Sequence, residues 1–312
     1  MIWVIEMSMK NKISKYIQFI VFRFIILLLQ LMPLWFRIKV SENILVLVAA
    51  MIKKRKKLIK SNIQFAFPDK SEEWVNDIAD KNIKNMGRFV AEYIDLPKLI
   101  HQNLNLKISF FPSKEKTIED SQNGCIAILG HMGNWEWHGA LFSSWMPGRI
   151  YALAKRQSNP WSNVFFEKLR RAGGVLSVFT DKGFFQYIRL IKNKNVLCFL
   201  ADQDAGGNGR FINFLNRPAS TFQGPAVIAR MTGCDAFFAY SYHEKEKLNT
   251  RFEKLQKPLA DPVKDPDEWD RQFTQSWVSM LEKAIIEHPS DYFWAHNRWK
   301  TQPSKSTDKI SI

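Results

Sequence analysis

From residue 106 onward the chain alternates short apolar runs with longer amphipathic segments, and that alternation predicts an α/β core. The candidate strands are residues 125–129, 150–154, 175–179, 196–201 and 236–242; the candidate helices are residues 135–144, 160–172, 183–192, 224–231 and 268–288. Pro160 after Asn159, and Pro225 after Gly224, suit the first turn of a helix, where a missing N–H costs nothing. Upstream, residues 72–93 read as an amphipathic helix, and Phe67-Pro68-Asp69 as a turn after a helix that continues to Phe65. No internal repeat or low-complexity linker interrupts the pattern. A polar turn at residues 261–267, with Pro262 and Pro266, precedes the last long helix, and residues 304–312 read as a polar tail.

The N-terminal pattern is different. Residues 16–36 are strongly apolar but are interrupted by Gln18, Arg23, Gln30 and Pro33. A spanning helix needs about 20 apolar residues, so this segment crosses a bilayer only with Arg23 near an interface; a single-pass anchor and a helix lying in one leaflet both remain open. It lacks the small-residue cleavage site of a signal peptide. Lys10, Lys12 and Lys15 precede it and Arg37 and Lys39 follow, so flanking charge does not fix its orientation. A second apolar run, residues 44–52, leads into Lys53-Lys54-Arg55-Lys56-Lys57 and Lys60, read either as a headgroup contact beside an anchor or as the solvated face of a helix.

Composition narrows the partners. With 312 residues, 46% of them hydrophobic and 13% aromatic, the chain can bury one full core without a second independent domain. Its formal charge of +15 would attract phospholipid headgroups, phosphorylated glycolipids, acidic carrier proteins or nucleic acid. No zinc finger, RNA-binding signature or basic zipper is present, so nucleic acid is not an expected partner. Cys125, Cys198 and Cys234 are scattered through apolar runs and read as buried reduced thiols, neither a disulfide set nor a metal site.

The most informative stretch is Gly130-His131-Met132-Gly133-Asn134-Trp135-Glu136-Trp137-His138, directly after the apolar run 125–129. A strand-loop-helix junction is where open α/β sheets place their chemistry. Asn134 reads as the N-cap of a helix with Glu136 in its first turn. A neutral His131 there can take a proton from a hydroxyl, and Glu136 is expected to fix its tautomer and stabilise the imidazolium that forms. No serine or cysteine nucleophile is then required, provided a substrate supplies the hydroxyl. A histidine and a glutamate at this spacing also occur for structural reasons, and His138, off the Glu136 face of the helix, is expected to be structural. No further Cys/His cluster at ligand spacing accompanies His131, so neither metal nor cofactor is expected.

Two further segments carry candidate chemistry. Asp202-Gln203-Asp204, followed by the glycine-rich residues 205–210, sits at a strand's C-terminal end. It reads either as a cradle for an oxyanion or phosphate, with Arg210 or Arg217 adding charge, or as an ordinary crossover loop. Mg²⁺ on Asp202 and Asp204 has no nucleotide motif in its favour. Trp294, His296, Arg298, Trp299 and Lys300 alternate as a short extended segment would, aromatics packed and cations outward. It reads either as a C-terminal strand or turn that seals the core or, through Arg298 and Lys300, as a contact to acceptor phosphates.

These blocks resemble the bacterial lipid A biosynthesis acyltransferases, the lauroyl and myristoyl transferases of the lysophospholipid acyltransferase superfamily, whose signature is a histidine, four residues and an acid. Ala154-Lys155-Arg156-Gln157-Ser158-Asn159-Pro160 is similar to a second block, followed by a basic helix ending Arg170-Arg171-Ala172-Gly173-Gly174. Asp202-Gln203, then Phe211, Phe214, Arg217-Pro218-Ala219-Ser220-Thr221 and Gly224-Pro225-Ala226, are similar to a third; Trp294-Ala295-His296-Asn297-Arg298-Trp299-Lys300 is similar to the terminal element. The resemblance covers roughly residues 15–303. It departs at Lys155, where relatives commonly have arginine, and at Asn216, where they commonly have glycine; lysine keeps the charge but loses the two-pronged geometry, so whether Lys155 or Arg156 takes the role is open.

The resemblance implies a mixed central sheet flanked by helices, with a membrane-anchoring N-terminal helix: residues 1–40 as anchor, 41–303 as catalytic domain with a helical N-terminal cover, and 304–312 as tail. It implies O-acyl transfer from acyl-acyl carrier protein to a hydroxyl of a phosphorylated glycolipid, a lipid A precursor, at an anionic cytoplasmic-membrane surface. His131 and Glu136 are then the catalytic pair. Lys155, Arg156, Arg170, Asp202, Gln203, Arg210, Arg217 and Arg298 are the expected substrate-binding residues. Another membrane glycolipid or lysophospholipid acceptor, or a lipid-binding role without turnover, are the competing readings.

Overall fold

In a computed structural model, residues 9–99, 108–111, 124–244 and 247–303 are described; the expected tail at 304–312 lies outside them. The apolar run at 125–129 forms a central strand, β2 (Cys125–Leu129), buried along its whole length. Around it lie β1 (Ile108–Phe111), β3 (Ile150–Ala154), β4 (Val175–Phe179), β5 (Val196–Leu200), β8 (Asp235–Glu244) and β9 (Lys247–Lys254), in the order β1-β9-β8-β2-β5-β3-β4. Every neighbouring pair is parallel except the β8–β9 hairpin. The fold is thus the expected α/β type with a mixed, mostly parallel sheet.

Pleating divides β2 between two cores, since successive side chains leave a strand on opposite faces. Ile126 and Ile128 join one cluster with Ile63, Phe214, Trp277 and Trp294. Cys125, Ala127 and Leu129 join the other, with Trp137, Leu141, Phe142 and Val175. The helices packed on the sheet and on one another are α1 (Met9–Gln30), α2 (Leu34–Met51), α3 (Lys53–Ala66), α4 (Glu72–Tyr93), the short α5 (Leu96–Leu99), α6 (Trp135–Trp145), α7 (Pro160–Ala172), α8 (Phe184–Lys192), α9 (Gly224–Thr232) and α10 (Pro266–Glu287). The Asn159 side-chain oxygen accepts from the backbone N–H groups of Trp161 and Ser162, the capping that Asn159-Pro160 announces. All three cysteines are buried.

A separate hairpin, β6 (Arg210–Phe214) paired antiparallel with β7 (Arg217–Thr221), was not among the expected strands. Its two turn residues, Leu215 and Asn216, both have positive φ (50° and 61°), as a tight two-residue hairpin turn demands. Asn216 tolerates that region where other side chains do not, so it can stand in for glycine. Leu215 is held there by burial and by a hydrogen bond from its N–H to Glu282 Oε1 (2.5 Å).

Within α1, Asn11–Gln30 is long and apolar enough to cross a membrane, and it is mostly exposed. One side nevertheless rests on α7: Phe22 meets Phe165 and Phe166 at ring-centre distances of 5.4 and 5.9 Å, and Tyr16 meets Trp161 at 5.3 Å. Arg23, the charge that interrupts the apolar run, lies over the Phe165 ring at 4.6 Å. In α2, Arg37 is buried in an ion pair with Asp95.

Close approach of α2 and α4 depends on Gly87, where a Cβ would lie 2.6 Å from Glu42 Cα and 2.7 Å from the Ser41 carbonyl. Gly87→Ala must push these helices apart, and we expect a loss of about 1–3 kcal/mol in chemical unfolding.

Candidate active site

Register builds the site. β2 and β5 are adjacent and parallel, with Leu129 opposite Leu200. Two residues beyond each lie His131 and Asp202, so the pairing delivers both to the C-terminal edge of the sheet. Asp202 Oδ1 lies 2.5 Å from His131 Nδ1, and Oδ2 accepts the His131 backbone N–H at 2.9 Å. Burial of Asp202 opposes its charge, but its electrostatic interaction with the His131 imidazole, the two hydrogen bonds and Arg298 outweigh it and hold the carboxyl below the ordinary carboxylate range. A carboxylate on Nδ1 assigns the proton to that nitrogen and leaves the lone pair on Nε2. Among the described residues, Nε2 has one long contact, 3.4 Å, to the Gln203 amide. Trp135 and Phe293 flank the imidazole, with ring centres 4.9 and 6.0 Å away.

The loop that presents His131 is fixed from several sides. Gly133 has φ +54°, and a Cβ there would lie 2.6 Å from the Ser241 carbonyl oxygen. The Asn134 backbone N–H donates to Ser241 Oγ (3.0 Å) and its side-chain amide donates to Glu92 Oε2 (3.1 Å). Asn134 occupies the N-cap position of α6 but makes no side-chain cap; its amide nitrogen turns to Glu92 instead. His131 and Gly133 also bond the C-terminal segment, through Phe293 N to His131 O (2.9 Å) and Gly133 N to Asp291 O (3.0 Å).

Three expectations are corrected. The expected Glu136–His131 pair is replaced by two others. Arg170 grips Glu136 with Nε to Oε2 at 2.9 Å and Nη2 to Oε1 at 2.5 Å. The first turn of α6 faces the last turn of α7, and Glu136 and Arg170 line a small cleft with Leu129, Trp135, Leu153, Cys198 and Leu200. Second, residues 292–300 are a series of tight turns that seal the core with Trp294 and Trp299, not an extended segment with outward cations. Third, Arg298 is only 2% exposed; it donates to the Ser220 carbonyl (2.5 Å), Thr221 Oγ1 (2.6 Å) and the Gln203 carbonyl (3.4 Å), and burial lowers its pKa. It ties the chain just after Asp202 to β7 and does not reach solvent phosphates.

The remaining expected residues are dispersed. Lys155 is exposed. Arg156 pairs with Asp181 (2.9 Å) and stacks over Phe179 at 3.9 Å. Arg210 is held by Asp267 (3.1 Å) at the start of α10, and Arg217 lies over Phe65 of α3 at 3.6 Å. The Asp204 N–H donates to His296 Nε2 (3.0 Å), and its carboxylate accepts from Thr301, so this part of the glycine-rich loop is occupied by the protein itself. His138 is buried, with its pKa pushed down to about 4, as a neutral structural histidine. Among the described residues no group of three or more His, Cys, Asp or Glu could hold a metal ion.

The sequence pointed to His131, Asp202 and Gln203 but not to their union, nor to Phe293 as a wall. The available signal was that His131 and Asp202 each follow an apolar strand by two residues. Beside the imidazole, Trp135 and Phe293 also border an apolar cavity of 260 Å³, bounded by Leu45, Met86, Phe89 and Val90 of α2 and α4.

Comparison with known proteins finds relatives of this chain. The family model described as bacterial lipid A biosynthesis acyltransferase matches residues 6–301. The chain is 22% identical over 277 residues to the lipid A biosynthesis lauroyltransferase of Escherichia coli (strain K12), covering 82% of this chain and 83% of that protein. It is 22% identical over 237 residues to the phosphatidylinositol mannoside acyltransferase of Mycobacterium tuberculosis (strain ATCC 25618 / H37Rv), covering 72% and 71%. The corresponding protein of Mycolicibacterium smegmatis (strain ATCC 700084 / mc(2)155) is 22% identical over 236 residues, covering 72% and 73%. With the family model spanning nearly its whole length, the chain belongs to the bacterial lipid A biosynthesis acyltransferases and is an acyltransferase.

Proposed function

We propose that this enzyme moves a fatty acyl chain from acyl-acyl carrier protein to a hydroxyl of a phosphorylated glycolipid, a lipid A precursor, with His131 as general base. The observation that carries the reading is an imidazole flanked by Trp135 and Phe293, whose Nδ1 side is held by buried Asp202 while Nε2 has a long 3.4 Å contact to the Gln203 amide. His131 Nε2 takes the proton of the acceptor hydroxyl, here the 3-hydroxyl of an acyl chain already on the sugar, as its oxygen attacks the thioester carbonyl. The C–S bond breaks, an acyloxyacyl ester forms, and the leaving thiolate recovers the proton from His131. Asp202 stabilises the transient imidazolium. Glu136 keeps a part in this site by fixing Arg170, whose charge, with Lys155 and Arg156 nearby in sequence, suits acceptor phosphates or the acidic carrier.

The relatives named for phosphatidylinositol mannoside favour a second acceptor class, a sugar hydroxyl of another membrane glycolipid, with the same chemistry. The exposed apolar side chains of α1 and α2, among them Ile17, Phe24, Leu28, Trp35 and Leu47, would enter the bilayer, beside the basic run that opens α3. A cytosolic carrier places the catalytic domain on the cytoplasmic face of the inner membrane. The 260 Å³ cavity beside His131 is apolar enough to receive the transferred chain.

Mass spectrometry of a purified reaction containing the tetraacyl, Kdo-bearing lipid A precursor and mixed acyl-acyl carrier proteins tests the reading. A gain of one acyl group, absent with folded His131→Ala, is expected; no gain with folded wild-type protein rejects this donor and acceptor. Asp202→Asn should lower kcat by about 10²–10⁴ with unchanged unfolding behaviour. In the same assay Met86→Trp, which fills the cavity, should cut use of the preferred chain at least about tenfold and favour shorter ones. An unchanged chain-length profile would remove the cavity from the account.

A further inference from the structure

A second buried cluster lies behind the loop that carries His131. His243, near the end of β8, has Nε2 3.1 Å from both carboxylate oxygens of Glu92 on α4, and Nδ1 3.0 Å from Asp291 Oδ1; its backbone N–H also donates to Asp291 Oδ1 at 3.1 Å. Arg88, one turn before Glu92, pairs with Glu92 at 2.8 Å. The side chains of Glu92, Asp291 and His243 are 4–6% exposed. Both ring nitrogens of His243 face carboxylate oxygens, so both must donate, and only the imidazolium can do that. Two carboxylates facing Arg88 and a neutral histidine would leave a net negative charge in the interior; with the proton, the cluster balances.

Both carboxylate residues hold the His131 loop. Glu92 accepts from the Asn134 amide, and its backbone carbonyl accepts from Trp137 Nε1 (3.2 Å). The Asp291 carbonyl accepts from Gly133 N–H, and two residues on, Phe293 N–H donates to the His131 carbonyl. The reaction as proposed above never uses His243.

We propose that His243 is a positioning residue: its imidazolium binds Glu92 to Asp291 and thereby fixes the loop that presents His131 to Asp202. The inference rests on His131 being the base. Burial opposes the His243 charge, but Glu92 and Asp291 outweigh it and raise its pKa to about 9. A raised folded-state pKa means that this stabilisation is complete below the ordinary histidine value of about 6.5 and is lost as pH rises through about 9.

The test compares wild type, His243→Gln and His243→Lys. Hydrogen–deuterium exchange needs no substrate: in His243→Gln, residues 131–135 and 291–293 should exchange about tenfold faster, with β5 unchanged. Kinetically, kcat should fall at least about tenfold with donor KM within about twofold. Wild-type kcat should drop above about pH 9; His243→Lys, which keeps a cation, should recover part of the rate and move that limb upward. Wild-type exchange in both segments of His243→Gln, or an alkaline limb that the substitutions leave in place, overturns the inference. If His243→Gln does not fold, wild-type protection of residues 131–135 must itself fall through about pH 9, after correction for intrinsic exchange, or the inference is lost. A wild type that transfers no acyl group would instead defeat the functional reading, and the exchange comparison would still decide this one.

Discussion

The site depends on one backbone constraint, the parallel pairing of β2 with β5 in the register that sets Leu129 against Leu200. A slip of one residue would turn every side chain of either strand to the opposite face. It would also separate His131 from Asp202, which stand at equal distance past their strands. Register is secured by burial: both strands belong to the two cores at once, Ile126 and Phe199 on one side, Ala127 and Cys198 on the other.

The second constraint is the C-terminal segment, which passes the site in tight turns that bond only part of its own backbone: the Trp294 N–H donates to the Tyr292 carbonyl (2.9 Å) and the Arg298 N–H to the His296 carbonyl (3.1 Å). Its carbonyls are satisfied by side-chain amides from the helical cover. Asn62 of α3 donates to the Trp294 and His296 carbonyls at 2.8 and 2.7 Å, and Asn82 of α4 donates to Ser290 and Tyr292 at 2.9 and 2.6 Å. Arg298 provides the same service in reverse, donating to the backbone around Gln203 and Ser220. The helices before the sheet, the strap after it and the loop of His131 are thus one hydrogen-bonded unit, with the His243 cluster at its centre.

Much of this was legible because apolar runs bounded by glycine and proline report buried strands directly: β2, β3 and β4 match residues 125–129, 150–154 and 175–179 at both ends. The β6–β7 hairpin was not legible, since Pro218 and alternating exposed residues mask a strand and its turn uses Leu215 at positive φ. Nor was β9, where Lys247, Asn249, Arg251 and Glu253 alternate with buried Leu248, Thr250 and Phe252. In the site, local spacing favoured Glu136 as the partner of His131, but five residues of chain separation say nothing about which carboxylate a folded loop meets. The partner, Asp202, is 71 residues away and is brought in by strand pairing. Alternating charge at Arg298 suggested exposure, whereas an irregular strap needs a buried donor to satisfy neighbouring carbonyls.

The central claim is that His131 and Asp202 act as one catalytic unit, and a double-mutant cycle measures that directly. Residues that act together lose activity non-additively. Adding Asp202→Asn to His131→Ala is therefore predicted to cost no further rate in acyl transfer, the double variant matching the single. If the two losses multiply, Asp202 serves the reaction independently of His131, and the account of this site is wrong.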